Sequence, residues 1–120
     1  MRRQRSQGRS LHGCVILVVQ RVWVIASALA RAFKARGAEV LLTTNPRLGL
    51  ALTNHPYLSA AVLDSQGREL CRSLEARGVP FLFYTGRDLT HEDWATAAIV
   101  RKPVPPEEVV EAIERLLRNH

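Results

Sequence analysis

Two cysteines, no membrane-length apolar run and no acid near the amino end narrow what this chain can be. Cys14 and Cys71 are too few for the disulfide framework of a small secreted domain, and both read as reduced packing thiols. No apolar stretch approaches the ~20 residues of a membrane span, and Met1-Arg2-Arg3 is not followed by a hydrophobic signal core, so no membrane is expected and the expected compartment is the cytoplasm. Four histidines (His12, His55, His91 and His120) scatter without ligand spacing, which argues against a metal site built on them. Residues 1–10 hold Arg2, Arg3, Arg5 and Arg9 with no acid, so of the net charge of +6 only +2 is left for the remainder. The pI near 10.3 is thus a property of the tail, and a nucleic-acid partner is not expected. Residues 1–12 are expected to be a disordered basic tail and residues 13–120 a single domain with room for one core.

What is present is alternation between two kinds of apolar pattern. Val15-Ile16-Leu17-Val18-Val19 is a continuous aliphatic run, the signature of a strand buried on both faces. Val22, Ile25, Ala26, Leu29 and Phe33 then recur at helical spacing up to a C-cap at Gly37. Val40-Leu41-Leu42 predicts a second strand. Asn45-Pro46 supplies an N-cap and a first-turn proline to a helix with Leu48 and Leu52 on one face. Ala60-Ala61-Val62-Leu63 predicts a third strand, and Leu70 and Leu74 a helix stopping at Arg77-Gly78. Phe81-Leu82-Phe83-Tyr84 is the fourth strand, and Thr90-His91-Glu92-Asp93 resembles a capping box for a short helix through Thr96. Ala98-Ile99-Val100 leads to a last helix with Val109, Val110, Ile113, Leu116 and Leu117 as its buried stripe and Glu111–Arg115 and Glu114–Arg118 as i,i+4 pairs near the wet face. Five strands alternating with five helices predict a parallel sheet covered on both faces, because parallel strands need right-handed crossovers.

The chemistry collects where strands end. Asp64 closes the third strand, Thr85-Gly86 the fourth, and Arg101-Lys102-Pro103 the fifth. In an open parallel sheet the crevice outside the carboxyl strand ends is where ligands bind. A carboxylate, a hydroxyl and an ammonium on one edge can accept, orient and neutralise a phosphoryl group. The first strand runs instead into Gln20-Arg21, where such a site would want acidic metal ligands.

In order and spacing, Val15–Val19, Ala61-Val62-Leu63-Asp64, Tyr84-Thr85-Gly86 and Arg101-Lys102-Pro103 resemble the receiver domain of two-component response regulators, the CheY-like superfamily, over residues 14–118. The resemblance implies a flavodoxin-like (βα)5 three-layer α/β sandwich with strand order 2-1-3-4-5. It also implies that Asp64 is a phosphoacceptor, that Thr85 bonds the phosphoryl oxygen, that Lys102 neutralises charge, and that Pro103 follows a peptide bond that is often cis. The implied partner is a sensor histidine kinase, with a homodimer through the last helix and fifth strand. The departures are as specific. Receivers carry two acids after the first strand that hold Mg²⁺, whereas Gln20 and Arg21 stand there, so neither metal nor any other cofactor is expected. Ser65-Gln66-Gly67-Arg68-Glu69 is short for the loop after the phosphoacceptor, and Ile99 replaces the usual switching Tyr or Phe. Arg21 is the candidate metal substitute, since a cation ~4 Å from Asp64 in a partly wetted pocket attracts it by about 4 kcal/mol before desolvation.

Three readings follow. The first is a single-domain response regulator, not an enzyme in the usual sense, that takes a phosphoryl group on Asp64 without Mg²⁺ and passes the signal on by protein contact; its variant is a phosphorylation-independent pseudo-receiver acting as an interaction adapter. The second, a haloacid-dehalogenase-type phosphatase, wants a second acid two residues after the nucleophile, where Gln66 stands, and a cap for which there is no sequence. The third is a nucleic-acid-binding adapter led by the basic tail. Trp23 and Trp94 are expected to pack at the edge of the core.

Overall fold

The aliphatic runs become strands β1 (Val15–Val19), β2 (Glu39–Thr43), β3 (Leu58–Leu63), β4 (Phe81–Thr85) and β5 (Ala98–Arg101) in the computed structural model, which describes residues 9–64, 68–86 and 98–119. All four neighbouring pairs are parallel, and the order is β2-β1-β3-β4-β5. The helices among the described residues are α1 (Trp23–Ala35), α2 (Pro46–Leu52), α3 (Arg68–Ala76) and α4 (Pro106–Arg118). The helix expected at 90–96 and Trp94 lie outside the described residues. The sheet is thus the flavodoxin-like arrangement expected.

Side-chain alternation along β1 divides the core into two layers. Ile16 and Val18 pack with Ala26, Leu29 and Phe33 of α1 and Val109, Val110 and Ile113 of α4. Val15, Leu17 and Val19 face the other way, toward Leu70 and Leu74 of α3 and the half-buried Leu50 and Leu52 of α2. Both faces of β1 and β4 are buried throughout, which is why their sequences are continuous rather than alternating. The end of α1 is a Schellman closure: Gly37, at φ +91°, donates to the Lys34 carbonyl and Ala38 donates to that of Phe33. Asn45 caps α2 by accepting the Arg47 N–H at 2.9 Å, with Pro46 at the first helical position, as the sequence predicts.

Several expectations are corrected by packing. Leu11, assigned to the tail, is 2% exposed in the core and donates its N–H to the Arg36 carbonyl, so the domain begins at least two residues earlier. One apolar residue in an otherwise polar segment was enough to anchor it. Val22 is not part of the buried stripe; it is the N-cap of α1 and half exposed, and Trp23 is exposed rather than at the core edge. Glu114 pairs with the end of α1, with its carboxylate 2.7 Å from the Arg36 guanidinium and also accepting from the Ser10 hydroxyl. In α2 Leu52 packs on the core together with Leu50 and the buried Gly49, whereas Leu48 is half exposed.

Gly49 explains how α2 reaches the sheet. A Cβ there would stand 2.9 Å from Val19 Cγ2, so a side chain would force the helix off the strand that leads into Gln20. Gly49→Val should therefore cost about 1–3 kcal/mol in urea unfolding, whereas Leu48→Ser on the outer face should change stability by less than about 0.5 kcal/mol. Equal effects at both positions would refute this explanation of the α2 contact.

Candidate functional site

Strand order places the topological switch between β1 and β3: the chain leaves β1 toward β2 on one side and returns to β3 on the other. Residues that follow these two strands face the crevice so formed. They are Gln20-Arg21 after β1 and Asp64 after β3, brought level by the pairing of Val19 with Leu63. Leu63 in turn pairs with Phe83, which sets the end of β4 alongside, and Thr85 pairs with Arg101, which delivers Lys102.

Asp64 is partly buried, and its contacts include an ion pair and a main-chain hydrogen bond. Lys102 Nζ lies 3.8 Å from Oδ1, with the side chains 20% and 15% exposed respectively. The main-chain N–H of Arg21 donates to Oδ2 at 3.3 Å. Three of the four site residues expected from the sequence are therefore tied together: Asp64 and Lys102 directly, and Thr85 by its carbonyl, which accepts the Lys102 N–H at 3.0 Å. Thr85 is fully buried. Arg21 joins them differently from expectation. It is exposed, and it contacts the carboxylate through its backbone amide, a contact that any non-proline residue would supply. The Lys102–Pro103 peptide bond is cis, as the resemblance implied. Ile99 is half-buried beside the α2–α3 layer of the core, an ordinary packing residue.

The electrostatics are about geometry more than stability. A pair at this separation and exposure attracts by about 4 kcal/mol at an effective dielectric near 20, and desolvation and ordering remove most of that, leaving roughly 1 kcal/mol or less. What the contact does is hold a cation beside the carboxylate at the strand-end crevice. Gln20 is fully buried; its Nε2 donates to the Tyr84 carbonyl at 3.4 Å, while its Oε1 has no hydrogen-bond partner among the described residues.

Tyr84 is the contributor that its place in an apolar run disguised as a plain strand residue. Its ring lies beneath Lys102, with Nζ 5.3 Å from the centroid. Its hydroxyl donates to the Val104 carbonyl at 3.1 Å and stands 3.3 Å from the Val104 N–H. The signal was available: a tyrosine in an otherwise apolar buried strand must find a partner for its hydroxyl.

Several solved structures with the same fold are receiver domains. No protein-family model matches the sequence, and no curated protein is similar to it. A CheY-like response regulator receiver domain protein from Methanospirillum hungatei JF-1 superposes with a TM-score of 0.77 at 24% identity, over 88% of this chain and 94% of its own. The receiver domain of a sensor histidine kinase from Pseudomonas aeruginosa PAO1, with magnesium coordinated in its active-site cleft, gives 0.73 at 18% identity over 88% and 98%. The response regulator TrrA from Thermotoga maritima, in complex with Mg(2+)-BeF, gives 0.72 at 19% identity over 86% and 98%. The chain has the fold of response-regulator receivers.

Neither cysteine joins the site. Cys71 packs inside the α2–α3 layer, and burial, reinforced by the Glu75 carboxylate, pushes its thiol up to about 12 from 9.0. Because its folded value lies above the unfolded one, protonated Cys71 favours the native state fully below about pH 9, and that contribution is lost as pH rises toward about 12. Stability should fall across this window in wild type and fall less in Cys71→Ala, as read by urea unfolding at about pH 8 and about pH 10.5. Identical pH slopes in the two proteins would contradict this.

Proposed function

We propose that this protein is a phosphoacceptor of the receiver type that works without Mg²⁺: Asp64 attacks the phosphorus of a phosphohistidine on a sensor kinase, forming the aspartyl phosphate as the phosphorus–nitrogen bond breaks. The observation that carries this reading is the Lys102–Asp64 contact at the switch point of a receiver fold. Phosphoryl transfer asks for positioning and charge stabilisation more than for covalent help from the protein. Lys102 supplies a cation on Oδ1, and the Arg21 N–H orients the carboxylate through Oδ2.

The residues present do not suit the magnesium that two of the structural neighbours hold. An octahedral Mg²⁺ seeks several oxygen ligands, normally including more than one carboxylate. Here Asp64 is the acid at these strand ends, and the residues after β1 are a guanidinium and an amide that offers one neutral oxygen, its Nε2 donating to the Tyr84 carbonyl. Among the described residues there is no group of three His, Cys, Asp or Glu side chains able to hold a metal ion.

Label should therefore pass from phosphorylated kinase to this protein in EDTA. Asp64→Asn should abolish labelling, Lys102→Ala should slow it by about 10²–10³-fold, and Arg21→Ala, which keeps the backbone donor, should change it by less than about threefold. Millimolar Mg²⁺ should leave the melting temperature unchanged. A dependence of labelling on Mg²⁺ would overturn the metal-free reading; absence of labelling by every cognate kinase would favour the pseudo-receiver that signals unmodified.

The signal would leave through protein contact, and we propose homodimerisation through α4 and β5, whose outer side has no neighbouring strand among the described residues. Sedimentation at rising concentration should show a monomer–dimer equilibrium weakened by Arg101→Glu; a monomer at all concentrations would remove this interface.

A further inference from the structure

The placement of Lys102 needs an explanation that its own side chain cannot give. A lysine is a point charge on a flexible four-carbon stem, and left to itself it samples many rotamers. Here it follows an edge strand, its backbone N–H is tied to the Thr85 carbonyl, and its ammonium reaches Asp64 while 20% exposed.

We infer that Tyr84 is the positioning residue that aims Lys102 at Asp64, a role that rests on the phosphoacceptor reading for its use but not for its geometry. Tyr84 holds the chain on both sides of Pro103. The face of its ring carries the ammonium at 5.3 Å, an attraction between a cation and the negative face of an aromatic. Its hydroxyl grips residue 104 twice, donating to the carbonyl and accepting the N–H. The segment 102–104 is thus pinned at its ammonium and at its main chain by one side chain.

Tyr84 is itself immobilised. It is 5% exposed within the α1–α4 core layer, and its carbonyl accepts Nε2 of the fully buried Gln20. That hydrogen bond tethers the end of β4 to the end of β1, past β3, so Gln20 links the two strand ends through an amide. The orientation of the amide is fixed, since turning it would set its oxygen against the Tyr84 carbonyl. Gln20, Tyr84 and Lys102 then form a chain of contacts running from β1 to the ammonium on Asp64.

The protein offers a direct readout, because its two lysines are Lys34, exposed on α1, and Lys102. Acylation of the full chain by a water-soluble succinimidyl ester, followed by peptide mass spectrometry, gives the Lys102 rate relative to Lys34 with no phosphodonor present. Tyr84→Phe, which keeps the ring and loses both contacts to Val104, should raise that ratio about threefold. Tyr84→Leu, which also loses the ring face, should raise it about tenfold. Asp64→Asn should raise it as well. A purely structural tyrosine would lower the melting temperature and leave the ratio where it was, and an unchanged ratio in folded Tyr84→Phe overturns the proposal.

The same variants separate this inference from the reading beneath it. If Tyr84→Phe raises the ratio and slows phosphoryl transfer to Asp64 by a similar factor, both stand. If the ratio rises but wild-type protein accepts no phosphoryl group from any donor, the positioning stands and the phosphoacceptor reading falls. If the ratio rises and transfer is undiminished, Tyr84 has no part in the reaction and the proposal fails.

Discussion

A carboxylate set at the end of a buried parallel strand must be met by hydrogen-bond donors, and the identity of those donors decides what it can do. At Asp64 they include a main-chain N–H on Oδ2, and the Lys102 ammonium forms an ion pair at 3.8 Å from Oδ1. The rest of the fold serves this clasp. The β2-β1-β3-β4-β5 order opens the crevice between β1 and β3, the pairing of Val19 with Leu63 levels the two strand ends, and Gly49 lets α2 lie close against Val19. On the far side, β5 is held to β4 over Leu82–Thr85, so the chain emerges at Lys102 with its N–H on the Thr85 carbonyl.

Two of the structural neighbours carry magnesium at their sites, and the contrast locates what differs in this chain. A divalent ion concentrates charge between ligands that would otherwise repel. In this chain an amide and a guanidinium, Gln20 and Arg21, follow β1, and Lys102 lies against the Asp64 carboxylate. The buried Gln20 amide performs a mechanical task, joining β1 to the Tyr84 carbonyl. Under the metal-free proposal, Gln20 at the end of β1 holds the geometry through which Lys102 acts.

Much of this was legible in the sequence, for identifiable reasons. Continuous aliphatic runs announce strands buried on both faces, and β1, β3 and β4 came out at or next to the residues predicted. Asp64, Thr85 and Lys102 were legible because topology alone puts strand ends on one edge. What escaped depended on three-dimensional proximity without sequence period. Arg21 was read as a guanidinium, while its contribution is a backbone amide, which no side-chain pattern encodes. Leu11 was lost in a polar tail because one apolar residue makes no periodicity. Gly49 was passed over in favour of Leu48 and Leu52, since a close helix–strand approach selects for a missing side chain. Glu114 pairs with Arg36 across the α1–α4 seam. Tyr84 makes its contacts 20 residues away, at Val104.

The central claim is that Asp64 can become an acyl phosphate in the field of protein donors alone. Borohydride reduces an aspartyl phosphate to homoserine, which leaves a mass signature at the residue modified. The full chain should therefore be incubated with its phosphorylated kinase in EDTA, reduced, digested and mapped. Homoserine is expected at position 64 without added metal. Homoserine at that position only when Mg²⁺ is supplied, or modification at any other residue, would contradict the claim.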